Sequence, residues 1–298
     1  MAKLEFDDEV SRVVEQFNAS AGATARRARI LQALGLKEGD YVLDVGSGPG
    51  HQAFEISSVV GTTGRIDGVD CAESAVDISR RRCSELDNVN FQVSEASRLP
   101  FDDASLDAVM SSQVFEYLDD VAGGLVEMYR VLKSGGRVLI HDTDWGAALW
   151  HSTDADRMAR VMKTWDAHLV DPHLPQTLGR KLANAGFRNV RAEAIVQTEM
   201  SYDPSSVSAV LMKFIAGYVV SQGIPQSEAD AWADDLSYKA FFRHLGEGLH
   251  DLVLVAPPQS VEPHPLPFFE SEDLLEAIFG QREEEIYGIQ LTPFSEDS

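Results

Sequence analysis

The chain has 298 residues, 44% of them hydrophobic, enough for one large α/β domain with insertions or for a domain with an appendage. A formal net charge of −23 makes nucleic acid and anionic membrane surfaces poor partners, and no apolar run approaches the ~20 residues that a membrane span needs. Cys71 and Cys83 cannot build a disulfide framework, and the acidic amino terminus (MAKLEFDDEV) lacks an apolar signal core, so a reducing cytoplasm is the expected location.

Residues Phe6–Leu36 carry a helical pattern broken near Asn18–Gly22, a segment read as a helical cap over residues 1–36. Arg26, Arg27 and Arg29, like Arg80, Arg81 and Arg82 further on, read as solvated helix faces. The next segment is the most informative: Val42–Gly50 reads VLDVGSGPG and runs into helix-compatible Gln52-Ala53-Phe54-Glu55-Ile56. A strand ending in close glycines and turning into a helix brings bare backbone against a ligand. The acid Asp44 sits two residues before Gly46, where a pyrophosphate loop has no use for a carboxylate. The glycines run G-x-G-x-G (Gly46, Gly48, Gly50, with Ser47 between the first two), which suits a ligand with a cationic end.

A second strand, Gly64–Asp70, ends in an acid able to take both hydroxyls of a ribose, with Cys71 beside it. Val89–Val93 is a third strand leading to Glu95-Ala96. Ser105–Met110 is a fourth, ending at Ser112-Gln113. Leu132–Ile140 turns through Gly135-Gly136 into a fifth. Four such segments, in order and correctly spaced, resemble the class I S-adenosylmethionine (SAM) methyltransferases of the small-molecule, UbiE-like type. That resemblance implies an α/β fold with a seven-stranded, mostly parallel sheet flanked by helices. It implies SAM as cofactor and S-adenosylhomocysteine (SAH) as product. The cofactor would be held by Asp44, Gly46, Ser47, Gly48, Gly50, Gln52, Asp70 and Cys71, with Glu95 and the amide of Ala96 reading the adenine and Ser112 and Gln113 lining the methionine part. The family's aromatic over the methyl group would be Phe17; a core aromatic is an equal reading of that residue.

Beyond strand five, Asp154 caps a helix with an apolar stripe (Met158, Val161, Met162, Trp165, Leu169), and Thr177–Ala185 is a helix stopped by Gly186. Val190–Met200 reads as strand six. Asp203-Pro204 reads as a helix start ahead of Val207, Val210, Leu211, Phe214, Ile215, Tyr218 and Val219, and Asp251–Ala256 as strand seven. The SAM-binding domain is thus placed at 37–256, with acceptor-cap insertions at about 145–175 and 203–248. From Pro257 a proline-rich, acidic extension (257–298) follows. It reads as a mobile solubilising tail or as a strap, and its apolar residues favour docking, either on the domain or on a second copy in a homo-oligomer.

SAM chemistry needs no metal, and none of the His/Asp groupings has convincing ligand spacing. His141 and Asp142 stand at the end of strand five, where a base for a hydroxyl acceptor would sit, although a structural histidine fits as well. Tyr117, Trp145 and Trp150 are candidate walls of the acceptor pocket. The expected activity is methyl transfer to an O, N or C nucleophile of a small molecule. The alternatives are quinone-type C-methylation, a non-catalytic SAM-binding partner subunit and, less well supported, a nicotinamide oxidoreductase. The last explains Gly46–Gly50 and Asp70 but not Asp44, Glu95-Ala96 or the turn at Leu132–Arg137.

Overall fold

A computed structural model of the chain describes Glu15 and residues 17–199, 202–204, 206–239 and 247–256. Helix α1 (Ala21–Leu34) leads into β1 (Tyr41–Val45), α2 (His51–Val60), β2 (Arg65–Asp70), α3 (Glu73–Arg82), β3 (Val89–Val93) and β4 (Leu106–Ser112). Then come α4 (Val121–Val131), β5 (Leu132–Thr143), α5 (Ala155–Asp166), α6 (Leu174–Asn184), β6 (Arg191–Glu199), α7 (Val207–Ser221), α8 (Gln226–Lys239) and β7 (Glu247–Ala256). The seven strands form one sheet in the order β3-β2-β1-β4-β5-β7-β6. Its first five strands are parallel, and β7 runs antiparallel between β5 and β6. The strand order reverses between β1 and β4, so their carboxyl ends open a crevice for a ligand.

Alternation along the strands explains why both faces are covered. Leu43, Val109, Val138 and Ile140 face one way and pack with Leu125 and Met128 of α4 and Leu178 and Leu182 of α6. Val42, Ala108, Met110 and Leu139 face the other way, against Ile30 and Leu34 of α1 and Ala53, Ile56 and Val60 of α2. A third apolar cluster lies apart from both, where Trp165 of α5, Ile215 and Val219 of α7 and Trp232 of α8 meet. Its residues come from the two segments read as insertions.

Several boundaries differ from the sequence reading. Helix α7 is capped by Ser206, whose hydroxyl accepts from the Ala209 amide at 3.2 Å. The Asp203 carbonyl instead accepts from the Ser206 amide at 2.9 Å, so Asp203-Pro204 makes the turn before the helix rather than its start. Helix α6 begins at Leu174, because Pro175 fits a first turn that needs no amide donor there. The glycine turn at Gly135-Gly136 is an irregularity within β5, where the pairing jumps from Leu106↔Leu132 to Ala108↔Arg137. Asp154 caps α5 as read, accepting from the Arg157 amide at 2.9 Å. Residues 257–298, and with them the acidic extension and its assigned oligomer contact, lie outside the described residues. Among the described residues, no helix is long and apolar enough to cross a membrane.

Candidate functional site

At the carboxyl ends of β1, β2 and β4 the chain encloses a cavity of about 740 Å³. The loop after β1 is tied down by the Gly46 and Ser47 amides, which donate to the Val69 carbonyl at 2.7 and 2.9 Å. Gly46 adopts φ +74, and a Cβ there would stand 2.2 Å from Cγ2 of Val114. A side chain there would therefore collide with Val114, and only glycine lets the loop keep its cradle against the cavity. Gly48, also at positive φ, lines the cavity, whereas Gly50 turns its back on it and starts α2 with φ +80.

Asp70 closes the tip of β2. Its Oδ2 accepts from the Gly48 amide and its Oδ1 from the Ala72 amide, both at 2.9 Å. These bonds fix the carboxylate while leaving each oxygen a lone pair for a ligand hydroxyl. Burial raises its pKa, opposed by the backbone amides of Ala72, Gly48 and Cys71. Asp44 is 2% exposed, and burial, then the charge of Asp70, push its carboxyl up to about 7. A carboxyl raised in this way ionises readily when a cation arrives beside it. Ser47 Oγ and Gln52 Nε2 are buried polar atoms without a hydrogen-bond partner among the described residues, and both residues line the same cavity. Such unmet groups suit the polar end of a ligand.

Cys71, Glu95, Ala96, Ser112 and Gln113 also line the cavity. Gln113 has φ +59, rare for a side-chain-bearing residue, and its Oε1 accepts from Thr143 Oγ1 at 2.9 Å. Donor set, cradle and unmet polar atoms fit a nucleoside ligand with a cationic amino-acid end. Asp70 would hold its ribose, and Asp44, Ser47 and Gln52 its charged end.

The opposite end is aromatic. Tyr117 and Trp145 line it, as read from the sequence, together with Trp165, His168 and Phe214, while Phe17 lines the cavity beside Arg26. Trp145 and Trp165 meet edge to face at 5.3 Å, and Trp145 donates its indole N–H to Glu116 Oε2 at 3.1 Å. His168 is 4% exposed, and burial pulls its pKa down to about 4. Burial, Glu116 and Asp142 hold the Tyr117 phenol well above its ordinary value.

Three expectations are corrected. His141 and Asp142 are fully buried and do not line the cavity. His141 Nδ1 lies 3.0 Å from Ser112 Oγ, and Asp142 Oδ1 accepts from the Val114 amide at 2.9 Å, because β5 continues to Thr143 and buries both side chains. Trp150 is likewise absent from the cavity and stacks on Trp232 at 5.3 Å within the third apolar cluster. Arg26 and Arg27 are not solvated: both are buried and line the cavity. Arg26 lies over the Phe17 ring at 4.9 Å, while Arg27 pairs with Glu55 at 2.7 Å and donates to the Asn18 carbonyl. Glu15 reaches Arg82 at 2.5 Å and His51 at 3.1 Å, beside the glycine loop.

Trp165 escaped the sequence reading as a site residue because its spacing marks only an amphipathic stripe, and His168 because, grouped with Asp171 and His173, it has no convincing metal-ligand spacing. Both are buried, and only the fold brings them to Tyr117.

Comparison with known proteins agrees with this fold. The methyltransferase domain family matches residues 36–200. A Streptomyces fradiae protein described as an uncharacterized 37.1 kDa protein in transposon TN4556 is 29% identical over 242 residues, 79% of this chain and 68% of its own length. Demethylmenaquinone methyltransferase from Staphylococcus aureus is 33% identical over 117 residues, 39% of this chain, so the chain spans about half (48%) of that enzyme's length. Among solved structures, the YcgJ protein of Bacillus subtilis superposes with TM-score 0.56 at 18% identity, covering 80% of this chain and all (100%) of its own. Haemonchus contortus phosphoethanolamine N-methyltransferase 2, in complex with phosphomonomethylethanolamine and SAH, superposes with TM-score 0.58 at 20% identity, covering 85% of this chain and 58% of its own. By the family match and by its fold, this chain belongs to the class I SAM-dependent methyltransferases.

Proposed function

We propose that the chain transfers a methyl group from SAM to an O, N or C nucleophile of a small-molecule acceptor. The observation that carries this reading is a cavity with two unlike ends. One end has the glycine loop with Asp44 and Asp70, and the other has the aromatic wall of Tyr117, Trp145 and Trp165. Bound SAM supplies an electrophilic methyl on a sulfonium, which an acceptor lone pair takes by in-line displacement.

The chain's own residues contribute position and dryness. Asp70 orients the ribose, and Asp44 gives up its proton to meet a cationic end. The aromatic wall excludes water and aligns the acceptor, which alone removes a large part of such a barrier. None of the three serves as a base: His141 and Asp142 are fully buried outside the cavity lining, and Tyr117 keeps its proton. The likeness to the Staphylococcus aureus enzyme supports quinone-type C-methylation as a second reading.

Calorimetry with SAH, SAM and NAD tests the assignment. SAM and SAH are expected to bind and NAD to give no heat. Micromolar NAD binding with no response to SAH would overturn it.

A further inference from the structure

The aromatic end contains a hydrogen-bonded relay whose polarity is fixed. His168 Nδ1 abuts the Trp165 carbonyl oxygen, which can only accept, so Nδ1 carries the ring proton and donates. Nε2 is then a bare lone pair, and it faces the Tyr117 hydroxyl at 3.4 Å. The hydroxyl therefore donates to Nε2. What remains on the Tyr117 oxygen is acceptor capacity alone. Tyr117 and His168 both line the cavity, with their rings 5.6 Å apart. Around them, Trp145, Trp165 and Phe214 offer ring faces and edges. The Trp145 indole N–H is already given to Glu116. The Trp165 indole N–H is buried without a partner among the described residues, and any ligand oxygen, hydroxyl or ether, could meet it equally.

From this arrangement, and resting on the methyltransferase reading, we infer that the Tyr117–His168 pair is the specificity element of the acceptor seat. It selects a flat, uncharged aromatic molecule that donates a hydroxyl or amine hydrogen to the Tyr117 oxygen. An acceptor without such a hydrogen leaves that oxygen unmet, and an anionic one faces an outward lone pair with the buried carboxylates of Glu116 and Asp142 close behind. Because His168 is neutral at ordinary pH, it offers no charge to offset them. The two arginines of the cavity belong to its N-terminal side, Arg27 paired with Glu55 and Arg26 over Phe17. A carboxylate-bearing acceptor anchored there is the competing outcome.

The test is calorimetry of the full chain with four naphthalenes substituted at one ring carbon: naphthol, naphthylamine, methoxynaphthalene and naphthoate. Each is titrated with and without saturating SAH. Naphthol and naphthylamine are expected to bind about tenfold or more tighter than methoxynaphthalene and naphthoate, since a site built to accept a hydrogen rejects analogues lacking one. Tyr117→Phe should reduce that preference to about twofold. His168→Gln, which keeps an acceptor oxygen near the Nε2 position, should retain most of it, and His168→Leu should lose it. SAH affinity should be unchanged in all three variants.

Equal binding of the methoxy and hydroxyl probes, tightest binding of naphthoate, an undiminished preference in Tyr117→Phe, or no binding of any probe would each overturn the inference. Loss of SAH binding by the unaltered protein, by contrast, would overturn the methyltransferase reading while the probe titrations without SAH still report on the seat.

Discussion

Replacing Asp44 by asparagine should stabilise the protein and cripple it together. Its carboxyl is 2% exposed and lifted by burial and by Asp70 from the usual 3.8 to about 7. An acid whose folded pKa is raised binds more protons folded than unfolded, so its contribution is most favourable below 3.8 and declines as pH climbs to 7. At about 1.36 kcal/mol per pH unit, ionised Asp44 costs the ligand-free protein about 4 kcal/mol at pH 8. The Asp44→Asn variant would not carry that cost, which for a chain of this size raises Tm on the order of 10 °C. Scanning calorimetry of both proteins without ligand, at pH 8 and near pH 4, decides it. The asparagine variant should melt higher at pH 8, the gain should vanish near pH 4, and SAH binding should weaken strongly. An equal gain at both pH values would refute the reasoning, since packing rather than ionisation would then be responsible. So would no gain at pH 8.

His168 should show the opposite sign. Its folded pKa is depressed from 6.5 to about 4, so it favours folding above 6.5 and loses about 3 kcal/mol as pH falls to 4; His168→Gln should flatten acid unfolding over that window, and an unchanged acid limb would count against it. Asp70→Ala should weaken SAH binding by about 2–3 kcal/mol with the fold intact, as expected for lost charge-assisted hydrogen bonds. Unaltered affinity in a folded variant would mean that the tip of β2 does not hold the ribose. Gly46→Ala should abolish SAH binding, because the new Cβ meets Val114 at 2.2 Å in a left-handed backbone. Full binding by that variant would show that the loop has room which the geometry denies.

The glycine-loop end of the cavity was legible because its signals are local. Asp44, Gly46 and Asp70 announce themselves by position at strand tips, and a strand tip is set by a few neighbouring residues. The seven strands were legible for the same reason, through alternation between the two faces. The aromatic end was legible only in part: Tyr117 and Trp145 were read as pocket walls, whereas Trp165, His168 and Phe214 look, one at a time, like ordinary core. Trp150 shows the ambiguity: by composition it matches Trp145, yet it packs on Trp232 instead. Arg26 and Arg27 misled in the other direction, because charge in a helix usually faces water and the partner that buries Arg27, Glu55, is distant in sequence. His141 was placed on the right strand, but its side chain is buried against Ser112 instead of lining the cavity.

The pairing of the last two strands has a consequence for how such a protein can change. Arg191 pairs with Val255 and Glu199 with Glu247, so the chain leaves the sheet and re-enters it at neighbouring points. Everything between those points, α7 and α8 included, hangs from the mouth of a hairpin, and lengthening a loop between fixed ends costs little. Roofs of different length or sequence can be exchanged there without rethreading β1, β2 or β4. Such an exchange would replace Val210, Leu211 and Phe214 of the cavity lining while the glycine loop, Tyr117, Trp145, Trp165 and His168 stay in place, so one wall of the cavity can be rewritten, by evolution or by grafting, against a fixed remainder.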